Sequence, residues 1–186
     1  MKYLITAVVV LVLSGSSFGQ KVQWLSFEEA LELQKEVKKK IFVDVYTDWC
    51  GWCKRMDKAT FQQPHIADYL NENFYPVKFN AEYKDDIQYR DKVYKFIKSG
   101  RRGYHALAAA ITKGRLSYPT IVFIDEDLNV LQPIPGFQDP KTFEVIMTFF
   151  AGDHFKDTPW QKYMSEYEHI DLEDEEHDAK PVNKQP

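Results

Sequence analysis

The stretch that decides the fold is IFVDVYTDWCGWCK, residues 41–54. Its first six residues are nearly all apolar and either β-branched or aromatic, which predicts a strand that is buried on both faces. The residues after the second cysteine are compatible with a helix. We therefore expect Cys50 near a helix N-terminus, where unpaired N–H groups and the helix dipole stabilise a thiolate. Cys53 then lies on the first helical turn, close enough to form a disulfide with Cys50. A strand, a turn, a C-x-x-C motif and a helix in this order indicate thiol–disulfide exchange.

Three other uses of the cysteine pair fit the sequence less well. A structural zinc site needs four ligands, but there is no second C-x-x-C motif, and His65, His105 and His154 are scattered. A purely structural disulfide would close so short a loop that it would constrain little of the unfolded chain. A cysteine protease would need a histidine positioned by a local motif that the sequence lacks. We therefore expect a redox role and no metal ion.

The composition is that of one globular domain. Of the 186 residues, 44% are hydrophobic and 28% are charged, and two cysteines cannot hold together a disulfide-rich scaffold. The 24 basic residues are outnumbered by 28 acidic ones, which argues against a protein whose general surface binds nucleic acid. Tyrosines are interleaved with the basic residues between Arg90 and Arg102. We interpret that segment as a solvated helix face and not as a nucleic-acid site.

The two ends of the chain differ in composition from its centre. Residues 1–19 combine Lys2, an apolar run and small residues before position 20, as in a secretory signal peptide. Because the run is too short for a comfortable membrane span, we expect a cleaved leader and a periplasmic or secreted protein. An uncleaved N-terminal anchor is the alternative. Residues 171–186 contain six acidic residues and two lysines, which predicts a disordered tail.

Apolar periodicity and turn signals divide the centre of the chain into helices and strands. Ser26 and Glu29 form a capping box at the start of the first helix, and Asp139-Pro140 predicts the start of a late one. The other predicted elements are helices from Pro64, over Tyr89–Ile97 and around Leu107–Ile111, strands at 75–81, 120–124 and 130–134, and a final helix with Trp160, Tyr163, Met164 and Tyr167 on one face. This order predicts an α/β fold whose sheet has an antiparallel edge.

Four segments in the same order resemble the thioredoxin superfamily. Residues 43–54 are similar to its active-site segment, and residues 76–80 to the central strand that follows. Residues 118–120 resemble its cis-proline segment, and Gly136 falls where the family has a glycine before its last helix. Within the superfamily, the chain is most similar to small exported bacterial thioredoxin-like proteins.

The resemblance implies a thioredoxin-like fold, with a central mixed sheet flanked by helices, over residues 20–151. The stretch between Lys78 and Pro119 is longer than in thioredoxin, which predicts an extra helix before the cis-proline segment. Residues 152–170 lie outside the resemblance, and we expect them to form a C-terminal helical extension packed on the domain.

The resemblance also implies roles for individual residues. Cys50 would attack a target disulfide, and Cys53 would resolve the mixed disulfide. Asp44 matches a buried aspartate that takes a proton as Cys53 becomes a thiolate, and Lys78 matches the lysine that pairs with it. Pro119 would follow a cis bond and present backbone to an extended substrate, although an ordinary proline at a strand start is the alternative. The expected substrate-binding residues are Trp49, Gly51, Trp52, Tyr118, Pro119 and Gly136.

These features predict an exported, monomeric thiol–disulfide oxidoreductase without a metal, nucleotide or flavin cofactor. Its partners would be exported proteins that carry disulfides and a membrane or periplasmic thiol protein that supplies electrons. Nucleic acid and stable membrane insertion are not expected. Because Gly51-Trp52 replaces the Gly-Pro of thioredoxin, the reduction potential is not carried over, and reduction, oxidation and isomerisation all stay open. A non-catalytic peptide-binding module with idle cysteines is the alternative function.

Overall fold

The computed structural model describes residues 21–168, and a four-stranded mixed sheet forms its centre. The strands are β1 (Lys40–Tyr46), β2 (Phe74–Asn80), β3 (Ile87–Tyr89), β4 (Lys92–Tyr94), β5 (Phe96–Ser99), β6 (Arg102–His105), β7 (Thr120–Ile124) and β8 (Val130–Pro135). The helices are α1 (Phe27–Glu36), α2 (Gly51–Ala59), α3 (Pro64–Asn73), α4 (Ala106–Ile111), α5 (Pro140–Ala151) and α6 (Trp160–Glu166). The sheet has the order β2–β1–β7–β8, and only the β1–β2 pair is parallel. The predicted α/β fold class is confirmed.

The sheet is buried because helices cover both of its faces. On one face Phe42 of β1 belongs to a cluster with residues of α3 and α5, including Phe143. On the other face Val43 belongs to a cluster with residues of α1 and α4. Six of the seven β1 residues are buried, as its nearly continuous apolar run predicts for a central strand. The parallel register places Asp44 of this buried strand beside Lys78 of β2.

Three helices begin where the sequence signals predict. The Glu29 N–H donates to Ser26 Oγ (3.1 Å) and the Ser26 N–H donates to Glu29 Oε2 (2.7 Å), which completes a capping box before α1. Pro64 occupies the first turn of α3, where its missing N–H removes no helical hydrogen bond. Asp139 caps α5 by accepting a hydrogen bond from the Thr142 N–H at 3.1 Å.

The segment between β2 and α4 differs from the prediction. The predicted helix over Tyr89–Ile97 is wrong, because these residues belong to two hairpins, β3–β4 and β5–β6. Arg90 has a positive φ of 54° in the first turn, and Gly100 has one of 59° in the second, which a right-handed helix excludes. The extra length before the cis-proline segment is therefore built from hairpins, and the basic side chains lie on these hairpins. The short helix predicted around Leu107 is present as α4.

After α5 the chain forms a short 3-10 turn, His154–Lys156, and then α6. Trp160 and Tyr163 place their rings against Phe149 of α5 at centroid distances of 5.2 and 5.0 Å. Met164, predicted to share this packed face, is instead 51% exposed. Helix α6 therefore packs on α5 through two aromatic side chains.

Two predictions concern parts of the chain outside the described residues. They are the signal peptide at 1–19 and the acidic tail at 171–186, and the last two residues of the proposed extension, 169–170, lie outside as well. Between residues 21 and 168, no helix is both long and apolar enough to cross a membrane.

At both edges of the central sheet, structural features hinder pairing with a further strand. Leu25 exchanges two backbone hydrogen bonds with the outer edge of β2, at 2.8 and 3.1 Å. At the other edge, the Gly136 N–H points inward to the Pro119 carbonyl oxygen at 2.8 Å. Because backbone donors alternate in direction along a strand, the outward-facing positions of β8 include Pro133 and Pro135. Neither proline has an N–H to offer to another strand.

Candidate active site

The two cysteines lie at the start of α2. Strand β1 ends at Tyr46, and after a short loop Cys50 is the N-cap of a helix that begins at Gly51. Cys50 and Cys53 form a disulfide with a Cα–Cα distance of 5.3 Å. The Cys53 N–H donates to Cys50 Sγ at 3.0 Å, so the sulfur receives one of the helix's unpaired donors. The same donor would stabilise a thiolate at Cys50 in the reduced protein.

Both cysteines are mostly covered, whereas the tryptophans beside them are open to solvent. Cys50 is 5% exposed and Cys53 is 2% exposed. Trp49 and Trp52 are 53% and 56% exposed. Cys50 is thus slightly more exposed than Cys53, and the exposed rings of Trp49 and Trp52 form a rim beside the disulfide.

The cis-proline segment lies beside the cysteine loop. The Tyr118–Pro119 peptide bond is cis, and the ring of Tyr118 meets the Trp49 ring edge-on at a centroid distance of 5.9 Å. Gly136 holds this segment through its hydrogen bond to the Pro119 carbonyl. Its φ of +96° is one that residues with a side chain rarely adopt. The structure thus brings Trp49, Tyr118, Pro119 and Gly136 to one end of the sheet.

Asp44 is a carboxyl group inside the sheet. It is 1% exposed, and Lys78 Nζ lies 2.5 Å from its Oδ2. Its Oδ1 has no hydrogen-bond partner within the described chain. Burial raises the pKa of Asp44 from 3.8 to about 6, although the charge of Lys78 acts in the opposite direction. At neutral pH the group is therefore mostly ionised and can accept a proton.

Lys78 connects Asp44 to a second carboxylate. Its ammonium group also donates to Asp57 Oδ1, and it lies 4.9 Å from the ring centre of Trp24 and 5.1 Å from that of Tyr46. Burial alone would lower the pKa of Lys78, but the two carboxylates outweigh it and raise the value. A charged lysine with aromatic faces around it thus lies between a buried acid and a more exposed one.

Sequence reasoning missed Asp57, although a signal for it exists. Asp57 follows Cys53 by four residues, which places it on the same face of α2. A cavity of about 310 Å³, partly open to solvent, reaches both Asp57 and Lys78. Its lining residues are Lys21, Val22, Trp24, Asp57, Phe61, Gln62 and Lys78. Water can therefore approach the ion pair through this cavity, whose lining does not include Trp49 or Trp52.

Three further residues lie beside the two tryptophan rings and were not predicted from the sequence. The Arg55 guanidinium lies 5.0 Å from the Trp52 ring centre and 5.4 Å from that of Phe137. On the other side, the Arg102 guanidinium lies 4.6 Å from the Trp49 ring centre. Each tryptophan next to the disulfide therefore carries an arginine on its ring.

The three histidines within residues 21–168 are on separate elements. His65 is in α3, His154 is in the 3-10 turn, and His105 caps α4 by accepting the Leu107 N–H at 3.2 Å. Burial lowers the pKa of His105. In the part of the chain that the structure describes, no group of three or more His, Cys, Asp or Glu side chains could hold a metal ion.

Comparison with known proteins places the chain in a family. The model of the Thioredox_DsbH family, described as a protein of unknown function, DUF255, matches residues 15–139. The chain belongs to the Thioredox_DsbH family. The matched region contains the C-x-x-C motif, Asp44, Lys78 and the cis-proline segment, and the predicted membership of the thioredoxin superfamily is confirmed.

The chain is also similar to individual proteins over part of its length. An uncharacterized protein of Caenorhabditis elegans, B0495.5, is 31% identical over 116 residues, which are 62% of this chain and 14% of that protein. The thiol:disulfide interchange protein DsbD of Vibrio vulnificus is 40% identical over 45 residues, 24% of this chain and 8% of DsbD. The aligned segments thus span less than a fifth of either relative's length.

The solved structures support the same fold. A thioredoxin-fold protein from Helicobacter pylori has a TM-score of 0.53 at 18% identity, over 69% of this chain and 83% of that protein. At this identity the likeness concerns the fold alone. The Thioredox_DsbH membership and the Cys50–Cys53 disulfide together support a redox role for the C-x-x-C motif.

Proposed function

We propose that the protein is an exported thiol–disulfide oxidoreductase that uses Cys50 and Cys53 to reduce or exchange disulfides in other exported proteins. The observation that carries the proposal is the position of Cys50 at the N-cap of α2, bonded to Cys53. A thiolate at that position is stabilised by the helix dipole and by a backbone donor. The buried Asp44, whose raised pKa suits a proton acceptor, supports it as well.

The reaction conserves electrons and protons in two steps. In the reduced protein, the Cys50 thiolate attacks one sulfur of a target disulfide, forms a mixed disulfide and releases the other target sulfur as a thiolate, which takes a proton from water. Cys53 then loses its proton, and its thiolate attacks the Cys50 sulfur and releases the second target sulfur. The second target sulfur also leaves as a thiolate and takes a proton from water. The target thus gains two electrons and two protons, while the protein loses two electrons and the Cys53 proton as it forms the Cys50–Cys53 disulfide, so that the solvent supplies one proton net.

Asp44 is proposed to receive the proton of Cys53. Near pH 7 its carboxyl, with a pKa of about 6, is largely free of a proton before this step. Lys78 and Asp57 connect Asp44 to the partly open cavity that they line. They provide a path by which the proton leaves for water after Cys53 has reacted.

Export and the electron supply are further parts of the proposal. The composition of residues 1–19 is that of a secretory signal peptide, which supports a periplasmic or secreted location, where disulfides persist. Each reductive cycle leaves Cys50 and Cys53 oxidised, so a thiol protein in the membrane or periplasm must return two electrons. We propose that the protein acts as a monomer.

The test is to trap the mixed disulfide in the native compartment. A tagged full-length Cys53→Ser protein should accumulate adducts on non-reducing gels that collapse to monomer with reductant, because no thiol remains to resolve them. The matched Cys50→Ser protein should form few adducts, and the wild type should reduce insulin disulfides. If Cys53→Ser traps nothing and the wild type leaves insulin oxidised, the non-catalytic peptide-binding module becomes the better explanation.

A further inference from the structure

The β5–β6 hairpin is attached firmly to the body of the protein. Its last residue, His105, is buried and donates its N–H to the Ala81 carbonyl at 2.6 Å, just after β2. The Phe96 ring lies over Gly103, so closely that a Cβ at that glycine would be 2.3 Å from Phe96 Cζ. The base and middle of the hairpin are therefore packed, and its position relative to the sheet is defined.

One face of this hairpin reaches the disulfide rim. Residues directly opposite each other in an antiparallel pair share a face, so Phe96 and His105 lie on one face, while the pairs Ile97–Tyr104 and Ser99–Arg102 lie on the other. Arg102 extends this second face to the Trp49 ring, 4.6 Å from its guanidinium. Ile97 on the same face is 42% exposed. The hairpin thus adds a wall of apolar and basic side chains beside Trp49.

The arginines of this hairpin have no carboxylate partner in the described part of the chain. Residues 96–105 contain Arg101 in the turn and Arg102 on the wall and no acidic residue, while Lys98, opposite Gly103, lies on the other face with Phe96. Within residues 21–168, no carboxylate pairs with either arginine. The exposed Arg55, whose guanidinium lies over the Trp52 ring, likewise has no carboxylate partner in that range.

An arginine that stacks on a tryptophan is well suited to recognise a carboxylate. The ring holds the planar guanidinium in place by a cation–π interaction, and the edge of the group keeps its N–H donors free. A carboxylate can then accept two parallel hydrogen bonds from that edge. Arg102 has this arrangement next to Trp49, the residue that precedes Cys50.

We infer that the hairpin wall selects targets whose disulfide cysteine lies in an extended segment with acidic side chains, and that Arg102 is the main specificity-determining residue. This inference rests on the proposed function, since it names the substrate class of the same site. The carboxylate of the target lies on Arg102, while the target backbone passes Trp49 and the cis-proline segment. The chain's own acidic stretch, residues 171–178, is the alternative ligand for Arg102 that the test must separate from a target.

The experiment compares two disulfide-bonded peptides that differ only in having Glu or Gln on both sides of the cysteine. With the reduced full-length wild type at low ionic strength, kcat/KM should be about two- to fivefold higher for the Glu peptide, the size of an exposed ion pair. Added salt should reduce the preference because it screens the charges. Arg102→Gln should bring the ratio close to one.

Arg90→Gln is the matched control. Arg90 is also exposed and on a hairpin, but it lines a cavity with Glu28 and Asp127 beside α1, so its loss should leave the Glu preference unchanged. Bis(2-hydroxyethyl) disulfide, which has no charge and no peptide, reports the chemistry alone. The wild type and Arg90→Gln should reduce it at the same rate, and the rate of each protein with this disulfide is the reference by which its two peptide rates are divided.

The outcomes distinguish this inference from the function on which it rests. Equal rates for the Glu and Gln peptides in the wild type, with normal reduction of the small disulfide, overturn the inference and leave the oxidoreductase intact. No reduction of any disulfide overturns the proposed function itself. If Arg102→Gln accelerates both peptides equally, the acidic tail occupies the wall and the inference is wrong.

Discussion

Replacing Asp44 by Asn should stabilise the oxidised protein by an amount that depends on pH. Burial, only partly offset by Lys78, raises the pKa of Asp44 from 3.8 to about 6. Because the pKa is higher in the folded than in the unfolded state, the folded protein holds the proton more tightly. The wild type therefore loses stability as the pH rises from about 4 to about 6. A shift of about two pKa units corresponds to about 3 kcal/mol at pH 7, and an uncharged Asn avoids this loss.

The assay is urea unfolding of the oxidised full-length protein from about pH 4 to about pH 8, followed by tryptophan fluorescence. Relative to the wild type, the free energy of unfolding of Asp44→Asn should rise from near zero at the acidic end to about 3 kcal/mol at neutral pH. Asp157→Asn removes an exposed carboxylate and should stay within about 0.5 kcal/mol of the wild type throughout. A difference in the free energy of unfolding that is independent of pH, or an Asp44→Asn protein less stable than the wild type at neutral pH, would contradict a destabilising buried carboxylate at this position.

Three other predictions address the chemistry and the hairpins. Asp44→Asn should slow the resolution of a mixed disulfide roughly tenfold or more at neutral pH, because Cys53 loses its proton acceptor; rapid-quench kinetics measure this, and an unchanged rate would make Asp44 structural only. In the reduced protein, iodoacetamide should modify Cys50 before Cys53, and peptide mapping that shows the reverse order would exchange their roles. Gly103→Ala should lower the free energy of unfolding by about 1–3 kcal/mol, because the new Cβ would lie 2.3 Å from Phe96 Cζ and 2.4 Å from the Ile97 carbonyl oxygen, so that the ring and the hairpin backbone must both move; unchanged stability and unchanged hydrogen exchange in the hairpin would contradict this.

The central strands are predictable because each has a local signal. Strand β1 is an almost continuous apolar run between polar neighbours, and β7 is another. Capping residues mark the starts of α1 and α5 in the same local way. These elements depend little on distant parts of the chain, so sequence reasoning finds them nearly to the residue.

The hairpins are not predictable by periodicity because their apolar residues fall at helical spacing by accident. Tyr89, Val93 and Phe96 match positions one and two helical turns apart, yet they belong to three different strands. The two tight turns decide the structure, and one of them places Arg90, which has a side chain, at a positive φ. The many β-branched and aromatic residues of this segment favour strands, and this preference is the better guide here than the helical spacing of the apolar residues.

The residues of the site also fall into those that a local or family pattern predicts and those that it does not. Cys50, Cys53 and Asp44 are close in sequence, and Lys78 lies on a strand that resembles a known one, so they could be found before the structure. Asp57 and Arg55 follow Cys53 and Trp52 by about one turn of α2, so a local signal for them existed, although Lys78, the partner of Asp57, is on another element. Arg102 acts through Trp49, far from it in sequence, and this contact depends on where the β5–β6 hairpin lies in space, which no local pattern reports.

The protected edges of the central sheet matter for a protein whose proposed substrates are chains that have not yet formed their final disulfides. Such chains expose extended segments, which readily add to the open edge of a sheet and can stay there. Here Leu25 already pairs with one edge, and Pro133 and Pro135 remove donors from the other. The edges of the central sheet therefore offer an immature chain fewer free backbone groups than an open sheet would. Once the covalent link is exchanged, the client is free to leave, and the architecture favours rapid turnover over chaperone-like retention.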